Sequence, residues 1–207
     1  MEIVLYGLKY PSRATRVAWA LEEAGASWSH VSVDLRSDAY RQVNPYRKVP
    51  SLSVDGTILT ESAACCLWVA DAFPDAELAP AAGTLARADH DRWVHFVISE
   101  LEQPLWTKAK HTFALPEAHR VDVATLKPAL TFEFARAAAI VEQHLDGGVH
   151  LAGDRFTIAD LMVAHTGFWA LRAGFELPPH FAAMVATHGA RPALQRASQP
   201  PEAEPKA

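Results

Sequence analysis

Residues 48–62, Lys-Val-Pro-Ser-Leu-Ser-Val-Asp-Gly-Thr-Ile-Leu-Thr-Glu-Ser, decide the fold. Leu52 and Val54 alternate with serines, Asp55-Gly56 follows, and Ile58 and Leu59 lie beyond. Asp-Gly between two such runs signals a two-residue β-hairpin. The spacing then predicts a helix over about 61–72, with Ala63, Cys66, Leu67 and Ala70 on one face. The stretch therefore reads as strand, strand, helix.

Working outward toward the amino end, residues 2–6 form an apolar run. From Pro11 the apolar positions Ala14, Val17, Ala18, Leu21 and Ala24 fall at helical spacing, closed by Gly25. Val31, Val33 and Leu35 alternate with Ser32 and Asp34, predicting a second strand, and the strand-helix-strand order favours a parallel pair. A polar stretch with a short helix around 38–43 leads into the hairpin. Residues 1–75 thus read as βαβ followed by ββα.

Toward the carboxyl end, prolines, a glycine and small residues around 73–83 interrupt regular structure and suit a linker, placed at 76–84. Beyond it only helical periodicity is found, at about 84–112, 119–146, 157–173 and 178–187, so residues 85–197 are expected to form an all-helical bundle. Its sharpest local signal is Phe156-Thr157-Ile158-Ala159-Asp160-Leu161. Thr157 as cap and Asp160 three residues on can satisfy free amides reciprocally, and Phe156 can staple against Leu161. Residues 198–207 carry proline and charge with little to bury, and are expected to be disordered.

Composition excludes several classes of function. Half of the 207 residues are apolar, enough for two modest cores. No run of about 18 apolar residues is present, and the opening MEIVLYG lacks the pattern of a leader, so a cytoplasmic protein without a membrane span is expected. Cys65 and Cys66 are neighbours and make no disulfide framework. A net charge of −5 argues against a nucleic-acid backbone binder. The first fifty residues nevertheless hold seven basic side chains (Lys9, Arg13, Arg16, Arg36, Arg41, Arg47, Lys48) against five acidic ones (Glu2, Glu22, Glu23, Asp34, Asp38), a balance that suits a small anion as well as a solvated surface. Ten histidines lie scattered without a metal-ligand spacing, so no metal is expected.

Several motifs in this order resemble those of the cytosolic glutathione transferases, including bacterial members with an active serine. They are Pro11-Ser12-Arg13, the run from Arg16 to Glu23, Asn44-Pro45, Lys48-Val49-Pro50-Ser51-Leu52, Glu61-Ser62, Leu151-Ala152-Gly153-Asp154 with the Phe156 to Asp160 cap, and Arg191-Pro192-Ala193. The resemblance spans nearly the whole chain. It implies a thioredoxin-like first domain, an all-helical second one, glutathione as co-substrate and a homodimer. Fold membership alone does not establish activity.

The same resemblance implies the site. Val49-Pro50 looks like the family's cis-proline turn, at which the backbone of Val49 pairs with the cysteinyl unit of glutathione; from the residues alone it reads as a loop-to-strand proline. Ser62, opening a helix, would bind the γ-glutamyl carboxylate, and Glu61 the ammonium. As bare sequence both read as ordinary first-turn residues. Lys48 would meet the glycyl carboxylate, or be a solvated lysine. Ser12, four residues before Arg16, resembles the serine that donates to the thiolate; its alternative is a helix cap, and Tyr6 is its rival for the catalytic role. The electrophile, small and partly apolar, is expected between the domains. Trp106 and His111 are candidates on an aromatic stripe that at helical spacing reads more often as core than as pocket. The reaction the resemblance implies is conjugation, with glutathione-dependent isomerisation, dehalogenation or peroxide reduction, or a non-catalytic interaction protein, as alternatives.

Overall fold

Ile3–Gly7 forms β1, whose alternate residues Ile3, Leu5 and Gly7 are buried on one face. The computed structural model describes residues 1–8 and 11–201; Lys9, Tyr10 and residues 202–207 of the tail lie outside them. Two units follow from the packing, Met1–Pro80 together with the residues from Ala190 on, and Ala81–Gly189.

In the first unit β1 is followed by α1 (Ala14–Glu23), β2 (Ser29–Ser32), α2 (Asp38–Val43), β3 (Ser51–Val54), β4 (Thr57–Thr60) and α3 (Ser62–Ala72). The sheet order is β2-β1-β3-β4, with β2 parallel to β1 and the rest antiparallel. This is a thioredoxin-like mixed sheet. The Asp55-Gly56 turn has positive φ at both residues, 47° and 83°, which only a short polar residue and glycine adopt at low cost. Gly7 is required by space, since a Cβ there would lie 2.9 Å from the His30 ring and 3.0 Å from the Ala14 Cβ.

Two expectations are corrected. The second strand ends at Ser32 and buries His30; Val33 and Leu35 lie past it, because the Asp34 side chain accepts from the Arg36 amide at 2.9 Å and turns the chain. Helix α3 buries Ser62, Cys65, Cys66, Val69 and Ala70, so its inner face is rotated from the one expected; Ala63 and Leu67 are half-buried. The closing helix α9 (Pro192–Ala197) belongs by its contacts to the first unit, where it packs on α1.

Charge explains that last placement. Arg191 donates twice to Glu23, at 2.5 and 2.8 Å, and Arg196 donates to Glu22 at 2.6 Å. The same two carboxylates accept from the indoles of Trp19 and Trp28, each at 2.9 Å. Beyond α9, residues 198–201 are placed: the Pro201 carbonyl accepts the outward amide of His30 at 2.6 Å and so covers part of the β2 edge.

The second unit is helical. Its elements are α4 (Leu85–Phe96), a π-helical turn at Val97–Leu101, α5 (Gln103–Ala109), a second π-helical turn at Lys110–Ala114, α6 (Val123–Leu145), α7 (Ile158–Arg172) and α8 (Pro179–Gly189). The first π turn sits just ahead of Pro104, which has no amide to give, and widens the helix there. Trp93, Leu101, Leu105, Phe134, Ile158, Leu161 and Phe181 are fully buried, each contributing about 1.5–3 kcal/mol. The capping box of α7 is formed in both directions. A Cβ on Gly167 would sit 2.4 Å from Val185, so glycine lets α7 and α8 approach. Among the described residues no helix is long and apolar enough to cross a membrane.

Two outcomes test this packing. Arg191→Ala removes two charge-assisted bonds from a carboxylate only 10% exposed; a loss of about 1–3 kcal/mol and a fall in Tm of about 3–8 °C is expected by thermal melting, and an unchanged Tm contradicts it. Cys65 and Cys66 are both fully buried, and burial pushes the Cys65 thiol up to about 12 and Cys66 higher still. Neither is ionised near neutral pH, so a thiol reagent at pH 8 is expected to titrate none in the native chain and two after denaturation. Rapid labelling of the folded protein contradicts this.

Candidate functional site

The register of the sheet assembles the site. Tyr6 pairs with Ser51, and Ser51 with Thr60, so the end of β1, the start of β3 and the end of β4 lie in one row. Whatever follows Gly7, precedes Ser51 or follows Thr60 must emerge at that edge. Those segments carry Ser12, Val49-Pro50 and Glu61-Ser62.

Ser12 is half-buried just ahead of α1. Its Oγ accepts from the Ala14 amide at 3.2 Å, its own amide donates to Thr15 Oγ1 at 3.2 Å, and its carbonyl accepts from Thr15 at 3.0 Å. These bonds fix Ser12 at the amino end of the helix. Residues 14–17 contain no carboxylate, so the positive end of the helix dipole is left uncompensated there.

Glu61 and Ser62 open α3 in the same manner. No acidic residue lies in its first helical turn. Glu61 takes φ 65° and ψ 113°, a conformation that L-residues rarely adopt and that costs on the order of 1–3 kcal/mol. Its side chain is exposed. Ser62 is buried, and its Oγ accepts from Nη1 of the fully buried Arg16 at 3.4 Å. That bond links α1 to the start of α3.

The turn between them is braced by a polar group the sequence reading did not assign. Val49-Pro50 is cis, with Val49 half-buried and Pro50 buried. The Lys48 carbonyl accepts from Tyr40 Oη at 2.5 Å and from Asn44 Nδ2 at 2.9 Å. Ser51 Oγ lies 3.0 Å from Tyr40 Oη and 3.1 Å from Asn44 Nδ2. Tyr40, Asn44 and Ser51 are all buried, and burial pushes the Tyr40 phenol up, keeping it a neutral donor. The Lys48 side chain is exposed, though its backbone is fixed. Asn44-Pro45 was the one available signal.

Tyr6 falls on the face of β1 opposite to Ile3, Leu5 and Gly7, the face that meets α1 through Gly7 and Ala14. Its ring lies 6.3 Å from that of Tyr40 on α2. Trp106 and His111 both belong to the second unit. Trp106 is half-buried on α5, and His111 Nδ1 accepts the Val121 amide at 3.0 Å, which closes the loop after the second π turn.

Residues 12–72 match the glutathione S-transferase N-terminal domain family, and residues 131–197 match its C-terminal domain family. The chain is 30% identical over 189 residues to glutathione S-transferase GstA of Escherichia coli O157:H7, covering 86% of this chain and 88% of that one. It is also similar to the structure of a sphingomonad glutathione S-transferase complexed with glutathione, with 29% identity, a TM-score of 0.81 and coverage of 96% and 98% of the two chains. A beta-class glutathione S-transferase of Sphingomonas chungbukensis gives 29% identity and a TM-score of 0.82, over 95% and 97%. On these matches and on its fold, the chain belongs to the glutathione S-transferase family.

Proposed function

We propose that the chain binds glutathione at this edge of the first unit and holds its thiol as a thiolate for attack on a small, partly apolar electrophile. The observation that carries the reading is the meeting of two helix amino ends without first-turn carboxylates, α1 behind Ser12 and α3 behind Ser62, around one braced turn. Ser62 and the α3 amides take the γ-glutamyl carboxylate, Glu61 takes the ammonium, the Val49 backbone pairs with the cysteinyl unit, and Lys48 reaches the glycyl carboxylate. Ser12 donates to the sulfur. Trp106 and His111 remain candidates for contact with the electrophile. The protein acts in the cytoplasm as a homodimer, like other members of its family.

The energetics are modest. A free thiol of pKa about 8.5 is only about 3% ionised at pH 7, and bringing it down by about 1.5 units takes roughly 2 kcal/mol of preference for the anion. A charge-assisted hydrogen bond of about 1.5–3 kcal/mol and a helix dipole of about 0.3–1 kcal/mol supply that. Tyr6 is the poorer donor, since it shares a face with α2 instead of α1.

The test is the pH profile of kcat/KM with a chromogenic aromatic electrophile. A lowered thiol pKa makes the rate rise with pH through that lowered value. Ser12→Ala is expected to move the rise up by about 1 unit and to cost about tenfold at pH 6.5, with little change in KM for glutathione. Glu61→Gln is expected to act the other way, raising KM for glutathione several-fold with the profile unmoved. A full rate in Ser12→Ala together with a lost one in Tyr6→Phe overturns the assignment of the donor; absence of turnover with measurable glutathione binding overturns the enzyme.

A further inference from the structure

We propose that His150, Asp160 and His188, in the second unit and apart from the glutathione residues, form a site for a divalent transition-metal ion of the Zn2+ type. One ligand atom from each lies within 4.8 Å of the other two. Their separations in sequence, 10 and 28 residues, match no metal motif, so only the fold brings them together.

The site is built before any ion arrives. Asp160 is fully buried at the start of α7. Its Oδ2 accepts from the Thr157 amide at 2.8 Å and the Thr157 hydroxyl at 3.0 Å, and its Oδ1 accepts from the Leu151 amide at 2.7 Å. A carboxylate offers about four lone pairs, so these three bonds leave one, on Oδ1. The segment carrying His150 is pinned on both sides: His188 Nε2 donates to the Val149 carbonyl at 2.6 Å, and His144 Nε2 donates to the Leu151 carbonyl at 2.8 Å. The bond from His188 is of the kind by which a metal-ligating imidazole is oriented through its second nitrogen.

His150 Nδ1 supplies the independent observation. This atom is buried and has no hydrogen-bond partner, although the side chain as a whole is 26% exposed. It stands 3.9 Å from Asp160 Oδ2, too far for a hydrogen bond. An ion bound tetrahedrally at about 2.1 Å holds its ligand atoms about 3.4 Å apart, so atoms that lie within 4.8 Å of one another need to close by up to about 1.4 Å. The His150 and His188 rings are already tilted together, 5.4 Å between centroids. Two imidazoles and one carboxylate suit Zn2+, Ni2+ or Cu2+ and disfavour Mg2+ and Ca2+, which want oxygen. The partial exposure of His150 gives the ion its way in and leaves a fourth position for water. Binding ties the 149–151 segment, α7 and α8 to one centre.

The experiment uses the full chain without a polyhistidine tag, stripped with chelator and titrated with ZnCl2 at pH 7.5. One equivalent bound, a Tm raised by about 5–10 °C at a hundredfold excess over Kd, and a loss of affinity of more than tenfold at pH 5.5 are expected. In His150→Gln the affinity falls at least about thirtyfold and the Tm rise disappears, while circular dichroism stays that of the parent. As a readout that needs no variant, imidazole nitrogen NMR of the unaltered chain is expected to shift two histidines at one equivalent of Zn2+. Overturning results are no uptake below about 100 μM free Zn2+, an unchanged Kd in His150→Gln, or stoichiometric binding that shifts other histidines and leaves His150 unmoved.

Discussion

The hydrogen-bonded register Tyr6–Ser51–Thr60 is the constraint on which the rest depends. Side chains alternate along strands, so a slip of one residue would turn every buried position outward. The buried faces of β1 and β3 hold the register, and the Asp55-Gly56 turn fixes its closed end. Once it is set, three loops have no choice but to meet at the other end. The proposed site is a consequence of strand pairing before it is a property of any single side chain.

What those loops bring together is a local field. Two helix amino ends carry no first-turn carboxylate, and the Arg16 guanidinium is buried beside Ser62. In a chain of net charge −5 the positive character is therefore local, which favours a small anionic ligand over a polyanion. The Tyr40, Asn44 and Ser51 network holds the intervening turn through the Lys48 carbonyl. The strain at Glu61 belongs to the same economy: a costly backbone is kept at the point where α3 begins.

Much of this was legible in the sequence. The Asp-Gly hairpin, the first helix after Pro11 and the capping box at Thr157 are local signals, each fixed by the chemistry of two or three adjacent residues, and each stands as read. The failures are tertiary. Nothing local told that Asp34 would turn the chain after Ser32, or that α3 would bury Cys65 and Val69 in place of Ala63 and Leu67. Nor does any local signal join Arg191 to Glu23, 168 residues apart. For the site, the order of motifs carried the reading, while the burial of Arg16, the φ of Glu61 and the gathering of His150, Asp160 and His188 are products of packing that no spacing announces.

The central claim is electrostatic, and its most direct measurement is the titration of the glutathione thiol on the unaltered protein, followed by thiolate ultraviolet absorbance in the bound and free states. The account predicts a bound pKa about 1.5 units or more below that of free glutathione. A bound thiol that titrates where it does in water would contradict it, however well the fold and the binding of the peptide hold.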